Sequence, residues 1–348
     1  MFKKFKLREK IMERCLSWNF SVLMVFISAI GGLILADSVP SNWSEGKKSN
    51  YVNGGKMEEV VFRVLEGSNS KKTFVRRGEL ILKKEAPATI LIAHGYMCSM
   101  RDVSFLRWMF PSFNTFVFDF RAHGERSADQ VCTFGHDEAY DVIGAVKFLR
   151  SHKEVRDKPI IAYGFSMGAV SIIEAQAKDT SLFSALIVDC PYDSSENVVK
   201  RALSNMKFNL FGYEFPLPGR TLLQKYAFHR YVQPFLKMML KTVAQMDATP
   251  INTRIVPVIP LESIKKAVVP IFLIHCKKDE KIPVEAALSL YQNAPSYKRL
   301  WLTNGRRHFD SYFNNPEKYA HKVNSFINKV LSKRYINKVQ LKITEDSI

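Results

Sequence analysis

The chain has 348 residues, enough for one large α/β domain or two smaller ones. Hydrophobic residues make up 47% of it and aromatic residues 12%, which supplies a sizeable core and excludes an intrinsically disordered chain. The formal net charge is +18. Such a balance is typical of proteins that bind nucleic acid or anionic membranes. Because the chain contains no nucleic-acid-binding motif, we expect no nucleic acid partner and favour a membrane surface.

The first apolar segment, residues 15–36, is long enough to cross a membrane. Its 22 residues carry no charge, and as a helix they would extend about 33 Å against a hydrocarbon core of about 30 Å. The preceding residues 1–14 are basic, which predicts a cytoplasmic N-terminus and the bulk of the chain outside the cytoplasm. The alternative is a signal peptide cleaved after Ala36, which would release a secreted domain.

A polar segment, residues 37–56, is rich in Ser, Asn, Gly and Lys and predicts a linker. The main domain is expected over 57–333, followed by a C-terminal tail over 334–348. Eight strand-like runs occur in this domain, at 58–65, 73–83, 88–94, 115–120, 160–165, 184–190, 269–276 and 299–303. Helix-like runs lie between the later strands, at 103–110, 138–151, 167–178 and 284–294, and one at 316–331 follows the last strand.

Several of the strand-like runs are continuously apolar, which is typical of strands covered on both faces. Strands that alternate with helices predict a mainly parallel, eight-stranded sheet flanked by helices.

The alternation stops over residues 200–266. This segment contains eleven Lys or Arg residues against three acidic residues, and eight Phe or Tyr residues. A structureless loop of this length is rare inside a compact domain. We therefore predict a helical cap inserted between the sixth and seventh strands.

The fifth strand-like run ends in the motif G-x-S-x-G, with Ser166 between Gly164 and Gly168. A serine at a sharp strand-to-helix turn exposes its hydroxyl, and the N-terminus of the following helix favours negative charge there. The pattern predicts a nucleophile. The motif alone is weak, because a glycine-rich turn without chemistry has the same letters.

Two further residues complete a serine-hydrolase triad. Asp279 follows the seventh strand and His308 follows the eighth, so both lie at carboxyl ends of strands. The chain order Ser166, Asp279, His308 is the order of α/β-hydrolases and not that of other serine-hydrolase folds. The acids that compete with Asp279 for this role are Asp189, Asp193 and Asp310, of which Asp189 is the strongest.

The oxyanion of an acyl-transfer reaction needs backbone N–H donors. Met167 follows the nucleophile, and Tyr96 follows the third strand at the position where the second donor is expected. We expect His94 beside them to be structural rather than catalytic.

The five cysteines (Cys15, Cys98, Cys132, Cys190 and Cys276) have neither C-x-x-C spacing nor histidine partners at zinc spacing. The sequence predicts no metal and no organic cofactor, and it does not single out a disulfide pair.

Over about residues 73–332 the chain resembles the prolyl-oligopeptidase-related and serine-esterase branch of the α/β-hydrolase superfamily, especially its membrane-anchored bacterial members. The motifs that carry the resemblance are LIAHGYM, VFDFRAHGERS, TFGHDEAYDV, YGFSMGA, VDCPYDS, PIFLIHCKKDEKIP and RHFDSYFNNPEKY. The resemblance implies Ser166 as nucleophile, Asp279 as acid, His308 as base and an oxyanion hole at Tyr96 and Met167. It also implies an architectural role for the loop of Asp119, Arg121 and Gly124.

The chain departs from the family pattern at several positions. Glycine is usual where this chain has Ala122 and Cys276, and small residues are usual where it has Arg306 and Arg307. Phe165, before the nucleophile, is bulky and apolar. These departures leave the triad complete but weaken any transfer of substrate preference.

The resulting expectation is a serine esterase that cleaves acyl esters, with a lipid-like ester as substrate and the basic, aromatic cap on an anionic membrane. The alternatives are a small-ester carboxylesterase, an acyltransferase or thioesterase with the same triad, a serine peptidase, and a non-catalytic binding module.

Overall fold

A computed structural model describes residues 51–332, except for residues 53, 69, 125–129, 206, 211–212, 217–218, 230, 233 and 235–250. The predicted segment 1–14, the predicted membrane span 15–36, most of the linker and the tail lie outside the described residues. Among the helices that are described, none is long and apolar enough to span a membrane. The anchor therefore stays a prediction.

A nine-stranded sheet forms the centre of the main domain, in the order β1-β2-β3-β5-β4-β6-β7-β10-β11. Its strands are β1 (Tyr51–Val52), β2 (Gly55–Leu65), β3 (Thr73–Leu82), β4 (Thr89–Ala93), β5 (Asn114–Phe118), β6 (Ile160–Phe165), β7 (Ala185–Asp189), β10 (Ile271–Cys276) and β11 (Lys298–Thr303). All eight predicted strands are present, and the additional strand is the short β1 at one edge.

Strands β5, β4, β6, β7, β10 and β11 pair in parallel, whereas β1, β2 and β3 are antiparallel to their neighbours. Every residue of β4, β5, β6, β7 and β10 is buried. This explains their continuous apolar sequence, because helices cover both faces of a parallel sheet. The predicted, mostly parallel sheet is therefore confirmed.

Two apolar layers lie on opposite faces of the sheet, because successive side chains of a strand alternate. Leu91 and Ala162 face one layer, and Ile90 and Ile161 face the other. The helices of the main domain are α1 (Glu138–Ser151), α2 (Met167–Lys178), α3 (Ser195–Asn205), α5 (Pro260–Ser263), α6 (Val284–Asn293), α7 (Asp310–Asn314) and α8 (Pro316–Leu331). The predicted helix at 103–110 is a 3-10 helix, Ser104–Met109, and a second 3-10 helix covers Ile264–Lys266.

The segment over residues 200–266 lies between β7 and β10, the sixth and seventh predicted strands. Most of this segment, together with the preceding Val199, belongs to a compact unit that covers Val199–Ala248. Where described, this unit contains the end of α3, a hairpin of β8 (Lys207–Leu210) and β9 (Tyr213–Pro216), and the helix α4 (Arg220–Lys225). The expectation of a purely helical segment is thus corrected, because aromatic residues alternate with polar ones in the hairpin.

Candidate active site

Ser166 lies at the sharp turn between β6 and α2. Its backbone has φ 52° and ψ −123°, a strained conformation for a residue with a side chain. The two glycines of the motif make this turn possible. A Cβ atom on Gly168 would lie 2.3 Å from the Ala93 carbonyl oxygen, and one on Gly164 would lie 2.7 Å from the backbone of Gly168. Only glycine therefore lets α2 pass this close to β4 and β6.

Backbone hydrogen bonds hold the strained turn. The Ser166 N–H donates to the carbonyl oxygen of Asp189 at 2.8 Å, and the Val170 N–H donates to the carbonyl oxygen of Ser166 at 3.1 Å. These bonds join the turn to the end of β7 and to the first turn of α2. Ser166 is consequently carried by the rigid centre of the sheet, at the N-terminus of a helix.

His308 and Asp279 form a hydrogen-bonded pair at the carboxyl edge of the sheet. Nδ1 of His308 lies 2.7 Å from Oδ2 of Asp279. The other carboxylate oxygen, Oδ1, accepts the N–H groups of Lys281 and Ile282 at 2.8 and 2.9 Å. Burial alone raises the pKa of Asp279, but the charge and hydrogen bond of His308 outweigh it, so the pKa lies below its usual value. An ionised Asp279 only accepts, so Nδ1 carries the proton and Nε2 is left as a base.

The competing acids make different contacts. Asp189 is fully buried, and its side chain accepts hydrogen bonds from the Tyr319 hydroxyl at 2.8 Å and from the Cys190 thiol at 3.2 Å. Asp193 accepts the N–H of Ser194, and Asp310 accepts that of Arg306. Of these four carboxylates in the described chain, only Asp279 is hydrogen-bonded to the His308 ring. Among the acids that the sequence left open, the geometry therefore favours Asp279 as the partner of His308.

Stacked aromatic rings connect the serine turn with the histidine loop. Phe165 precedes Ser166, Phe309 follows His308, and their ring centroids lie 4.0 Å apart at an interplanar angle of 25°. Within the part of the chain that is described, the Ser166 hydroxyl and the His308 ring share no hydrogen bond. Catalytic hydrogen bonds of free enzymes are often long and shorten in the substrate complex. The structure thus places Ser166 and His308 on two loops that are joined by the Phe165–Phe309 stack.

Two buried neutral histidines hold the loop that carries Tyr96. Nδ1 of His94 donates to the Gly95 carbonyl oxygen, and Nε2 accepts the Phe120 N–H. His123 bonds the Arg121 carbonyl oxygen and the Met97 N–H in the same manner. Burial lowers the pKa of His94 to about 4 and that of His123 to about 3, so both rings remain neutral donor–acceptor bridges. His94 therefore fits the structural role expected of it.

The two expected oxyanion donors lie at the ends of neighbouring strands. Tyr96 follows β4, and Met167 begins α2 directly after β6. The Tyr96 hydroxyl bonds Thr253 at 3.0 Å, and its ring stacks on Phe134 at 4.7 Å, so the side chain is fixed. Among the described residues, no protein group accepts the backbone N–H of either Tyr96 or Met167, and both N–H groups are available to an oxyanion.

The loop after β5 is held in place by an ion pair and by hydrogen bonds. Arg121 forms an ion pair with the buried Asp141 at 3.0 Å, and the Asp119 carboxylate accepts the Met100 N–H at 2.7 Å. A Cβ atom on Gly124, whose φ is 71°, would lie 2.2 Å from that carboxylate. Ala122 has φ 60°, a value that favours the glycine expected there. The loop is architectural, as the sequence suggested.

Sequence reasoning missed the two cysteines near Asp279 and His308, which are Cys190 and Cys276. They end adjacent strands, which the sequence could not reveal without the strand order. One ligand atom each of Cys190, Asp279 and His308 lies within 4.8 Å of the others, a spacing that a metal ion could bridge. Because His308 Nδ1 already bonds Asp279, a metal would have to displace that proton. The cluster therefore fits acid–base chemistry better than metal binding.

Comparisons with known proteins show the family of this chain. A model of the α/β hydrolase family matches residues 90–322. This is more than half of the chain, and the chain therefore belongs to the α/β hydrolase family.

The names of the similar proteins indicate different activities. The uncharacterized protein YfhR of Escherichia coli (strain K12) is 24% identical over 230 residues, which are 65% of this chain and 65% of YfhR. The Pyrococcus furiosus esterase Pf2001 has a TM-score of 0.59 and 21% identity, covering 82% of this chain and 97% of the esterase. The Pyrococcus horikoshii acylaminoacyl peptidase has a TM-score of 0.53 and 16% identity, covering 82% of this chain and 44% of the peptidase. At these identities the two structures establish the fold.

Proposed function

We propose that the protein is a serine hydrolase that cleaves acyl esters through an acyl-enzyme on Ser166. The observation that carries the proposal is the 2.7 Å hydrogen bond from His308 to the buried, ionised Asp279, on loops joined to the strained Ser166 turn by the Phe165–Phe309 stack. A base that is oriented by a carboxylate and lies near a serine is the arrangement that activates a hydroxyl for acyl transfer.

In the proposed reaction, Oγ of Ser166 attacks the ester carbonyl carbon, and Nε2 of His308 takes the hydroxyl proton. The proton then passes to the leaving alcohol as the ester C–O bond breaks. A water molecule then attacks the carbonyl carbon of the acyl-enzyme, and His308 again acts as the base. This step releases the carboxylic acid and free Ser166. The backbone N–H groups of Met167 and Tyr96 stabilise the oxyanion in both steps, which is typically the largest contribution to such catalysis.

The role of Asp279 follows from its hydrogen bonds. Its carboxylate holds Nδ1–H and stabilises the imidazolium that forms when His308 takes the serine proton. The N–H groups of Lys281 and Ile282 fix the carboxylate itself. The imidazole orientation therefore depends on the short loop after β10.

Names of structural relatives support an acyl substrate but leave its leaving group open, since one is an esterase and another an acylaminoacyl peptidase. The same triad also serves acyltransferases, in which an alcohol, amine or thiol replaces water as the acyl acceptor. It serves thioesterases as well, in which the leaving group is a thiol. We favour hydrolysis of oxygen esters. Product analysis with added alcohols and amines separates hydrolysis from transfer.

The proposed substrate class is a lipid or lipid-like ester. The compact unit over residues 199–248 exposes apolar side chains between cations, which suits contact with anionic headgroups. The large exposed apolar side chains of this unit are Tyr213, Phe215, Leu222, Tyr226 and Tyr231. Lys237 and Lys241, which the sequence also assigns to this surface, lie outside the described residues.

A fluorophosphonate probe tests the nucleophile, because it reacts covalently with an activated serine. We expect the purified protein to be labelled and Ser166→Ala to remain unlabelled and inactive. Ser181→Ala, which changes an exposed serine in the turn before β7, is the matched control and should be labelled like the wild type. Labelling of Ser166→Ala, or no labelling of the wild type, would refute the proposed nucleophile.

A further inference from the structure

Cys190 and Cys276 are brought together at the ends of two adjacent strands. Cys190 is the first residue after β7, Cys276 is the last residue of β10, and the Cys190 N–H donates to the Ile274 carbonyl oxygen at 2.9 Å. Adjacent strands lie about 4.8 Å apart, and disulfides join Cα atoms about 4.4 to 6.8 Å apart. The strand register pairs Asp189 with Ile274, so Cys190 lies opposite His275, the residue directly before Cys276.

This thiol pair touches both parts of the candidate catalytic pair. Cys190 Sγ lies within 4.8 Å of ligand atoms of Asp279 and His308. Cys276 Sγ lies 3.1 Å from Oγ of Ser311, in the helix α7 that follows His308, while Cys276 itself precedes Asp279 by three residues. The Cys276 side chain therefore joins the loop of the acid to the loop of the base.

We propose that Cys190 and Cys276 are a redox-active dithiol, which a peroxide converts to a disulfide that lowers the activity of the site. The effect on activity rests on the proposed function; the disulfide itself does not. In the first step the Cys276 sulfur attacks one oxygen of hydrogen peroxide, the O–O bond breaks, and hydroxide leaves. In the second step the Cys190 sulfur attacks the resulting sulfenic acid, the S–O bond breaks, and a second hydroxide leaves. Both hydroxides take up the thiol protons, so two thiols and one peroxide give one disulfide and two waters.

The chemistry of the two sulfurs suits these steps. The neighbouring side chains, Cys190 first and then Ser311 and Thr303, lower the pKa of Cys276 to about 6, so Cys276 reacts as a thiolate near neutral pH. Burial raises the pKa of Cys190, which keeps its proton until the second step. Both side chains are buried, so a small oxidant such as hydrogen peroxide suits this site better than a large disulfide.

Disulfide formation should disturb the catalytic geometry. When the Cys276 sulfur turns toward Cys190, it gives up its contact with Ser311, and the loops of Asp279 and His308 lose that connection. A displacement of about 1 Å in an active site can cost about 100-fold in rate. We expect kcat/KM of the oxidised protein to fall by about 10- to 100-fold and to recover with a reductant.

Peptide mapping and activity measured on the same full-length sample test the proposal. After hydrogen peroxide, we expect one cross-linked peptide pair that contains Cys190 and Cys276, with loss of two hydrogen masses, and a reversible fall in kcat/KM. Cys190→Ser and Cys276→Ser should lack the cross-link and the reductant-reversible part of the inhibition. Cys98→Ser, which leaves the pair intact, should behave like the wild type relative to its own untreated activity.

Two results would overturn the proposal. One is the absence of the cross-link in both untreated and peroxide-treated wild type, with both thiols still free. The other is a formed cross-link with unchanged kcat/KM. If the wild type hydrolyses no ester at all, the proposed function fails, whereas the mass of the peptides still decides whether the dithiol is redox-active.

Discussion

The rings of Phe165 and Phe309 stack at 4.0 Å directly beside the proposed nucleophile and the proposed base. On its other side, Phe165 lies against Gly95, where an added Cβ would approach the ring to 2.6 Å. The bulky residue before Ser166, which the sequence marked only as a departure from the family pattern, therefore joins three loops: the turn of Ser166, the loop of His308 and the loop of Tyr96. Rigid apolar packing of this kind can hold an active site within the small tolerance that catalysis requires.

Removal of the Phe309 ring should reduce kcat, through a less well-positioned His308, more than it changes KM. For Phe309→Ala we expect kcat to fall by about 10- to 100-fold with little change in KM, because His308 loses its lateral support. The melting temperature should fall too, since loss of a buried phenylalanine typically costs about 3–5 kcal/mol. Steady-state kinetics and thermal unfolding measure both effects. Trp108→Ala, which removes an exposed ring of the 3-10 helix Ser104–Met109, is the control; an equal loss of kcat there would contradict a specific role of the stack.

The choice of Asp279 as the acid can be tested against Asp189. Asp279→Asn should lower kcat by about 10,000-fold, because the amide no longer holds the imidazole in the required tautomer. Asp189→Asn should remain within about tenfold of the wild type, since the Asp189 side chain bonds Tyr319 and Cys190 rather than His308. Kinetics of the two variants, each checked for folding, compare the roles. A large loss of kcat in Asp189→Asn, together with a nearly normal kcat in Asp279→Asn, would identify Asp189 as the acid.

Asp189 should also shape the dependence of stability on pH. Burial raises its pKa from the ordinary 3.8 to about 8, so the folded protein keeps a proton that the unfolded chain releases. Stability falls with rising pH wherever the folded state binds more protons. The free energy of unfolding should therefore decline between about pH 4 and pH 8 by an amount that Asp189→Asn abolishes. Denaturant unfolding of both proteins across this range measures it, and parallel curves for the two would contradict the proposed protonation.

Gly168 should not tolerate even a methyl group. In a helix, Gly→Ala ordinarily stabilises by about 1 kcal/mol, but here the new Cβ would lie 2.3 Å from the Ala93 and 2.4 Å from the His94 carbonyl oxygens. We expect Gly168→Ala to lower both the melting temperature and kcat, because α2 and Ser166 must move away from β4. Gly67→Ala is the control, since no atom lies within 4 Å of its added Cβ. A stability of Gly168→Ala equal to that of the control would show that the turn can relax.

Contact of the 199–248 unit with an anionic membrane should depend on its exposed cations. Arg220 and Lys225 flank the exposed Leu222 on α4. Basic residues near an anionic surface contribute about 1 kcal/mol each, so the Arg220→Gln/Lys225→Gln variant should lose about 10- to 30-fold of any stimulation by anionic lipid. The measurement is hydrolysis of an acyl-chain series by full-length protein in phosphatidylcholine vesicles with and without phosphatidylglycerol.

The matched control for this measurement is Lys147→Gln/Lys153→Gln, which removes two exposed charges from the main domain. Equal effects of the two double variants would indicate a general charge effect. A preference for acetyl or butyryl esters, with no response to vesicles, would contradict the lipid-like substrate and leave a small-ester carboxylesterase.

Much of the fold could be predicted from the sequence because the type of each strand or helix depends on a local pattern of apolar residues. The continuous apolar runs of β4, β6 and β10 identify buried parallel strands wherever they lie in the sheet. The two glycines around Ser166 indicate a sharp turn, and the structure shows that an added Cβ at either glycine would clash with backbone atoms. The positions of Asp279 and His308 after successive strands follow from the same alternation, since parallel strands end at one edge of the sheet.

Tertiary structure decided what depends on the order of strands and on contacts between distant segments. Asp189 ends β7 and Asp279 lies in the loop after β10. Only the three-dimensional arrangement brings Asp279 to His308, whereas the Tyr319 hydroxyl donates to Asp189. The pairing of Cys190 with Cys276 likewise required β7 and β10 to be neighbours. Hydrophobic periodicity records which face of an element is buried, but it carries no information about which buried group lies opposite. The sequence by itself therefore determined the main strands and helices of the sheet domain and the candidate residues, and packing determined which of those residues lie together.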